Sequence, residues 1–149
     1  MISAILLAAG QSKRMNGENK LTKEIQGIPL IKLSVQNILA SSIDELVIVL
    51  GYQKETIEKI IDKNVKIKFV VNEDFEKGMA TSIKVGVKNL SKKTEAFFIC
   101  LGDMPMVNKD IFNLLIKSKN SKEIIVPTYK NKQGNPVLFS KLMKKKVMS

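Results

Sequence analysis

Three short stretches of this chain hold residues whose types and spacing suit nucleotide chemistry. The first reads Leu7-Ala8-Ala9-Gly10-Gln11-Ser12-Lys13-Arg14-Met15, followed by Asn19-Lys20-Leu21. Small residues at 8–10 let a ligand approach the backbone closely, and exposed amides there can bind a base or a phosphate. Arg14 offers a bidentate fork and Lys20 a point charge. Arg14 is the single arginine beside 24 lysines, so its position is expected to need the planar guanidinium. The stretch lacks the second glycine and the Gly-Lys-Ser/Thr ending of a P-loop, and it is not a dinucleotide fingerprint. Taken alone it reads equally well as a small-residue turn with solvated cations. The second stretch is Leu101-Gly102-Asp103-Met104-Pro105. An aspartate leaving a buried strand at its carboxyl end is a natural Mg²⁺ ligand once a phosphate is nearby, although alone it is also an ordinary Gly-Asp turn. Pro105 restricts Met104 and fixes that turn. The third is Gly78-Met79-Ala80-Thr81-Ser82 at a helix start, whose amides and hydroxyls could hold a base or a sugar, or simply cap the helix through Thr81 or Ser82.

Composition narrows the chemistry further. The chain has 149 residues, no histidine and one cysteine, Cys100. That excludes serine–histidine and cysteine–histidine catalysis, His-ligated zinc, an internal disulfide and any multi-cysteine metal site. Carboxylates, lysines, hydroxyls, backbone amides and Arg14 remain. The net charge is +11, distributed as 10 basic and 9 acidic groups in residues 1–75 and 15 basic and 5 acidic groups in residues 76–149. Aromatics are 5% and do not interleave with the lysines, so a base-stacking nucleic-acid platform is not expected. A solvated lysine surface is the expectation, and it is compatible with a small anionic substrate. No apolar run reaches membrane-span length. Met1–Ala9 lacks a basic leading segment and reads as a buried strand rather than a signal peptide, so a cytoplasmic protein is expected.

These stretches need a framework, and the hydrophobic pattern supplies one. Ile2–Leu7 is wholly apolar, as expected of a strand buried on both faces. Ser12 to Glu24 is polar and aperiodic, a long loop of the kind that carries function. Pro29 opens a helix with Ile31, Val35, Ile38 and Leu39 on one face. Leu46–Leu50, Ile67–Val71 and Ala96–Leu101 are further strands, and Ile124–Val126 and Pro136–Phe139 are a fifth and a sixth. Helices striped by Ile57, Ile60 and Ile61, by Ile83, Val87 and Leu90, and by Ile111, Leu114 and Leu115 separate them, the last capped by Asn108. Four β-then-α units predict a three-layer α/β/α domain with a mainly parallel sheet over residues 1–149 and right-handed crossovers. Ligands then bind outside the carboxyl ends of the strands, where residues 7–20 and 102–105 fall.

Together with Gly134-Asn135-Pro136-Val137-Leu138-Phe139, the three stretches resemble the MobA-like nucleotidyltransferases, most of all their molybdenum cofactor cytidylyltransferase branch, from residue 2 to about residue 139. The resemblance implies a Rossmann-like nucleotide-diphospho-sugar transferase fold. It implies transfer of CMP from CTP to molybdenum cofactor with release of pyrophosphate, for molybdoenzymes of the xanthine dehydrogenase type. It also implies that Leu7, Ala8, Ala9 and Gly10 meet the nucleotide, that Arg14 and Lys20 hold the triphosphate and Asp103 the Mg²⁺, that Ser82 lies near base or ribose, and that Gly134 and Asn135 face the acceptor. Family members continue further, with an aspartate that completes the metal site. This chain carries no acidic residue after Glu123, so a C-terminally shortened form of the fold is expected. The chemistry needs positioning and charge neutralisation rather than a protein nucleophile, and an anionic acceptor phosphate needs no general base. A sugar- or polyol-phosphate nucleotidyltransferase and a non-catalytic cofactor-binding protein of the same fold are the alternatives, with a lysine-driven nucleic-acid binder third.

Overall fold

The computed structural model describes residues 1–10, 19–119, 124–129 and 132–148. The expected apolar run forms β1 (Ile2–Ala8), buried along its whole length. A small hairpin follows, β2 (Glu24–Ile25) and β3 (Ile28–Pro29). It turns on Gln26 and Gly27, both at positive φ (51° and 83°), as a two-residue hairpin requires. The remaining elements are α1 (Leu30–Ala40), β4 (Glu45–Leu50), α2 (Lys54–Ile60), β5 (Ile67–Val71), α3 (Met79–Lys88), β6 (Ala96–Leu101), α4 (Lys109–Lys117), β7 (Ile124–Ile125), β8 (Thr128–Tyr129), β9 (Lys132–Gln133), β10 (Val137–Ser140) and α5 (Lys144–Met148).

The main sheet runs β5-β4-β1-β6-β10-β7. β5, β4, β1 and β6 are parallel, with Leu6 opposite both Ile48 and Cys100. β10 enters between β6 and β7 and is antiparallel to both. Alternation along β1 splits the core into two layers. Ala4, Leu6 and Ala8 pack with Ile31, Val35 and Ile38 of α1, Ile57 of α2 and Phe112 of α4. Ile5, Leu7 and Ala9 pack on the other face with Val87 of α3 and Val147 of α5. The three-layer α/β/α architecture expected from the sequence is therefore the observed one.

Two local expectations change. The buried stripe of α4 is Phe112 and Leu115, whereas Leu114 is 63% exposed. Phe112 sets the helix phase by lying edge-on to Phe98 at 5.1 Å, which turns Leu114 outward. The long loop expected over Ser12–Glu24 gives way to a short 3-10 turn at Lys20–Thr22 and to β2, which takes Glu24; residues 11–18 lie outside the described residues. Asn108 does cap α4, its side chain accepting from the amides of Asp110 and Ile111.

Candidate nucleotide site

A cleft of about 440 Å³ opens where β1 and β6 end. Leu7 and Gly10 reach it from β1, Lys20 from the following turn, Gly102 and Asp103 from β6, and Ser82 from α3. The Lys20 turn is built locally. The Asn19 side chain, 2% exposed, accepts from the Leu21 amide at 3.0 Å, and Thr22 Oγ1 donates to the Asn19 carbonyl at 2.8 Å. Lys20 Nζ then donates to Asp103 Oδ2 at 3.1 Å, across 83 residues of sequence. Both side chains are substantially solvated, at 50% and 36% exposure. Such a pair contributes only about 0–1 kcal/mol. An anionic ligand or a cation can part it at small cost, leaving a cation and a carboxylate side by side at the cleft.

The Asp103 turn comes close to the Lys20 turn because residue 102 is glycine. A Cβ there would lie 2.9 Å from Leu21 Cδ2 and 3.2 Å from Ile31 Cδ1. On the opposite wall, Gly78 caps α3 at φ 112°, a conformation that strains other residues. Asn72, at the end of β5 and 2% exposed, holds this wall. Its Nδ2 donates to Thr81 Oγ1 and to Ser82 Oγ, both at 2.9 Å, and its Oδ1 accepts from the Asp74 amide. Thr81 Oγ1 donates to the Gly78 carbonyl at 2.6 Å, but the expected capping by Thr81 or Ser82 is not what forms: Gly78 is the N-cap, and no side chain caps α3.

The expected site residues are brought together only in part. Leu7, Gly10, Lys20, Ser82 and Asp103 share the cleft. Ala8 and Ala9 are 1% exposed and pack into the core on opposite faces of the sheet. The Ala9 carbonyl accepts from the Tyr52 amide. Its methyl and Phe75 crowd the same point above Gly51, where a Cβ would lie 2.9 and 2.7 Å from them. Arg14 lies outside the described residues. Gly134 donates its amide to the Pro127 carbonyl at 2.8 Å. The antiparallel register, with Val137 opposite Ile99, puts the Gly134–Asn135 loop at the carboxyl end of β6. It is on the same edge of the sheet as the cleft but not among its described lining. Asn72 was not singled out by sequence reasoning, and its only signal was its place directly after a strand.

Among the described residues no three histidine, cysteine, aspartate or glutamate side chains gather as a metal cluster. Asp103 and Glu76 are the carboxylates that line the cleft among the described residues, and Asp103 is the one paired there with Lys20. One carboxylate, completed by phosphate oxygens and water, is the donor set that Mg²⁺ favours, so the site suits a divalent ion that arrives with a polyphosphate. Cys100 is fully buried, and burial pushes its thiol up well beyond the usual range, so it supplies no nucleophile. Glu95 titrates lower than an ordinary carboxyl, first because Lys119 donates to it and then through the chain amino terminus; neither partner lines the cleft. Among the described residues no helix is long and apolar enough to cross a membrane.

The sheet, parallel except for β10, with its cleft at the carboxyl edge, is shared with solved structures. The crystal structure of Rv0371c from Mycobacterium tuberculosis H37Rv matches 99% of this chain and 75% of its own at a TM-score of 0.88 and 22% identity. Its complex with manganese covers 99% and 74% at 0.83 and 21% identity. Residues 4–149 match the MobA-like NTP transferase domain, and the chain belongs to that family. It is 28% identical to the probable molybdenum cofactor guanylyltransferase of Methanosarcina mazei over 95% of this chain and 64% of that protein. It is 30% identical to the molybdenum cofactor cytidylyltransferase of Escherichia coli K12 over 94% and 70%. The chain thus spans less than two thirds of the Methanosarcina relative.

Proposed function

We propose that this chain is a nucleotidyltransferase that moves a nucleoside monophosphate from a nucleoside triphosphate to the terminal phosphate of molybdenum cofactor, with CTP as the preferred donor and molybdoenzymes of the xanthine dehydrogenase type as recipients of the product. The observation that carries the reading is the Lys20–Asp103 pair at the mouth of the β1–β6 cleft. Family membership supports the reaction class, and the two relatives support the acceptor. Their names differ in the nucleotide, so the choice of CTP rests on the sequence resemblance to the cytidylyltransferase branch.

In this reading an oxygen of the acceptor phosphate attacks the α-phosphorus of the donor. The bond from that phosphorus to the bridging oxygen breaks, and pyrophosphate leaves with the electron pair. A Mg²⁺ ion, held by Asp103, would neutralise charge on the phosphates. Lys20, with Arg14, binds the triphosphate and stabilises the negative charge that grows on the departing pyrophosphate. Ser82 orients the nucleoside, the Gly134–Asn135 loop faces the acceptor, and residues 1–149 act as one domain. None of these steps asks a side chain to give or take a proton, which agrees with a chain that has no histidine.

The deciding experiment measures pyrophosphate release with CTP, GTP, ATP and UTP, each with and without molybdenum cofactor. Release that depends on the cofactor and is fastest with CTP is the expected result. Faster release with GTP would overturn the cytidylyl choice. Release that follows sugar-1-phosphates instead would overturn the acceptor.

A further inference from the structure

Asp103 occupies a solvated turn, yet the turn itself is held by side chains from a distant helix. The carbonyl before Asp103, that of Gly102, accepts from Ser34 Oγ at 2.9 Å. The carbonyl of Pro105, two residues after it, accepts from Asn37 Nδ2 at 2.9 Å. Both bonds span 68 residues. Ser34 and Asn37 are three apart on α1 and so share one face, and Ile31 on that face meets the Gly102 position. The behaviour of Ser34 is informative. A serine in the middle of a helix commonly bonds the carbonyl one turn earlier, but this one, 3% exposed, spends its hydroxyl proton on Gly102. The other backbone bonds of this segment among the described residues are Gly102 N to Leu7 O at 3.2 Å and Val107 N to Met104 O at 3.4 Å. They anchor the entrance and the exit of the turn and leave the peptide planes around Asp103 to Ser34 and Asn37.

We propose that Ser34 and Asn37 are positioning residues: a two-point clamp from α1 that fixes the backbone on both sides of Asp103 and so aims its carboxylate at the cleft. The proposal rests on the nucleotidyltransferase reading for its consequence in catalysis, but not for the clamp itself. Fold stability does not explain the pair well, because α1 is already seated by Ile31, Val35 and Ile38. A carboxylate that must meet a metal–phosphate assembly needs directional control that apolar contact cannot provide, since hydrogen bonds are directional and hydrophobic contacts are not.

The test uses Ser34→Ala, Asn37→Ala and the double variant, with Asn37→Asp as a change that keeps the side-chain shape but removes the donor. Amide hydrogen exchange of the nucleotide-free protein is read over residues 103–107, and the Mg²⁺ concentration for half-maximal pyrophosphate release is read in parallel. Within that segment, exchange at the Val107 amide, which donates to the Met104 carbonyl across the turn, should rise about tenfold, while exchange in β6 is unchanged. The half-saturating Mg²⁺ should rise several-fold, with the nucleotide KM at saturating metal nearly constant. Asn37→Asp should follow Asn37→Ala. Asn37 is only half-buried, so its variants keep the test open if Ser34→Ala unfolds the chain. Unchanged exchange over 103–107 in a folded Asn37→Ala variant would overturn the clamp. Faster exchange with unchanged Mg²⁺ dependence would overturn its role in aiming Asp103. Absence of pyrophosphate release by the wild-type protein with every nucleotide would overturn the enzymatic reading and, with it, the catalytic consequence, while the exchange result still decides the clamp.

Discussion

Asp103 and Ser82 line the same cleft, but the turns that carry them are held by different means. The Ser82 wall is braced by Asn72, ten residues earlier in the chain, and by the Thr81 bond to Gly78. The Asp103 wall is braced by Ser34 and Asn37, each 68 residues away, and by Lys20, 83 residues away. The wall assigned to the nucleoside can thus form once β5 and α3 are adjacent. The wall assigned to phosphate and metal exists only when β1, α1 and β6 have all assembled. Damage to the first should therefore act on binding, and damage to the second on the rate.

The largest expected effect is on the phosphate wall. Asp103→Asn keeps the shape and removes the charge, and metal-dependent pyrophosphate release should fall about 100-fold, the scale of losing one group that stabilises transition-state charge. The thermal midpoint should hardly move, because the ion pair with Lys20 is solvated. Unchanged metal-dependent turnover would end the assignment of that wall to metal. Arg14→Lys tests the proposed triphosphate contact. It keeps the charge and loses the fork, and should lower nucleotide affinity or turnover about tenfold, or roughly 1.4 kcal/mol. Equal kinetics and affinity would make Arg14 a solvated surface cation.

On the nucleoside wall, Asn72→Ala withdraws donors from Thr81 and Ser82 and an acceptor from the Asp74 amide. Loss of a buried hydrogen-bonding group costs about 1–3 kcal/mol. The expected signature is a several-fold rise in nucleotide KM with kcat held, together with a lower unfolding midpoint. A fall in kcat at constant KM would show that the two walls are not separable. Ala9→Gly should have the smallest effect. A methyl in contact with a base discriminates by about 1–3 kcal/mol, but the Ala9 methyl is buried and is not part of the cleft lining. Side-by-side binding of CTP and GTP should show the wild type preferring CTP, and the variant losing part of that preference without gaining strong GTP binding.

Much of this protein is legible from residue order alone. β5 and β6 begin and end where their apolar runs do, at Ile67–Val71 and Ala96–Leu101. The Asn108 cap and the start of α1 after Pro29 follow from local backbone chemistry. The turn residues Gly10, Gly78 and Gly102-Asp103 could be picked out because the three stretches occur together where the strand–helix pattern puts the carboxyl ends of strands and the start of a helix. All of these features depend on neighbours within about one turn or one strand, so sequence spacing encodes them. The direction of the Ala9 methyl, the outward turn of Leu114, the insertion of β10 between β6 and β7, and the bonds of Asn72, Ser34 and Asn37 to the turns that carry Ser82 and Asp103 were settled by the tertiary structure. Each depends on which distant element packs alongside. Phe112 rather than Leu114 enters the core because Phe98 is there to meet it. Ser34 becomes a brace for Asp103 because the sheet order sets α1 beside the end of β6, and hydrogen bonds across 68 residues leave no periodic trace in the sequence.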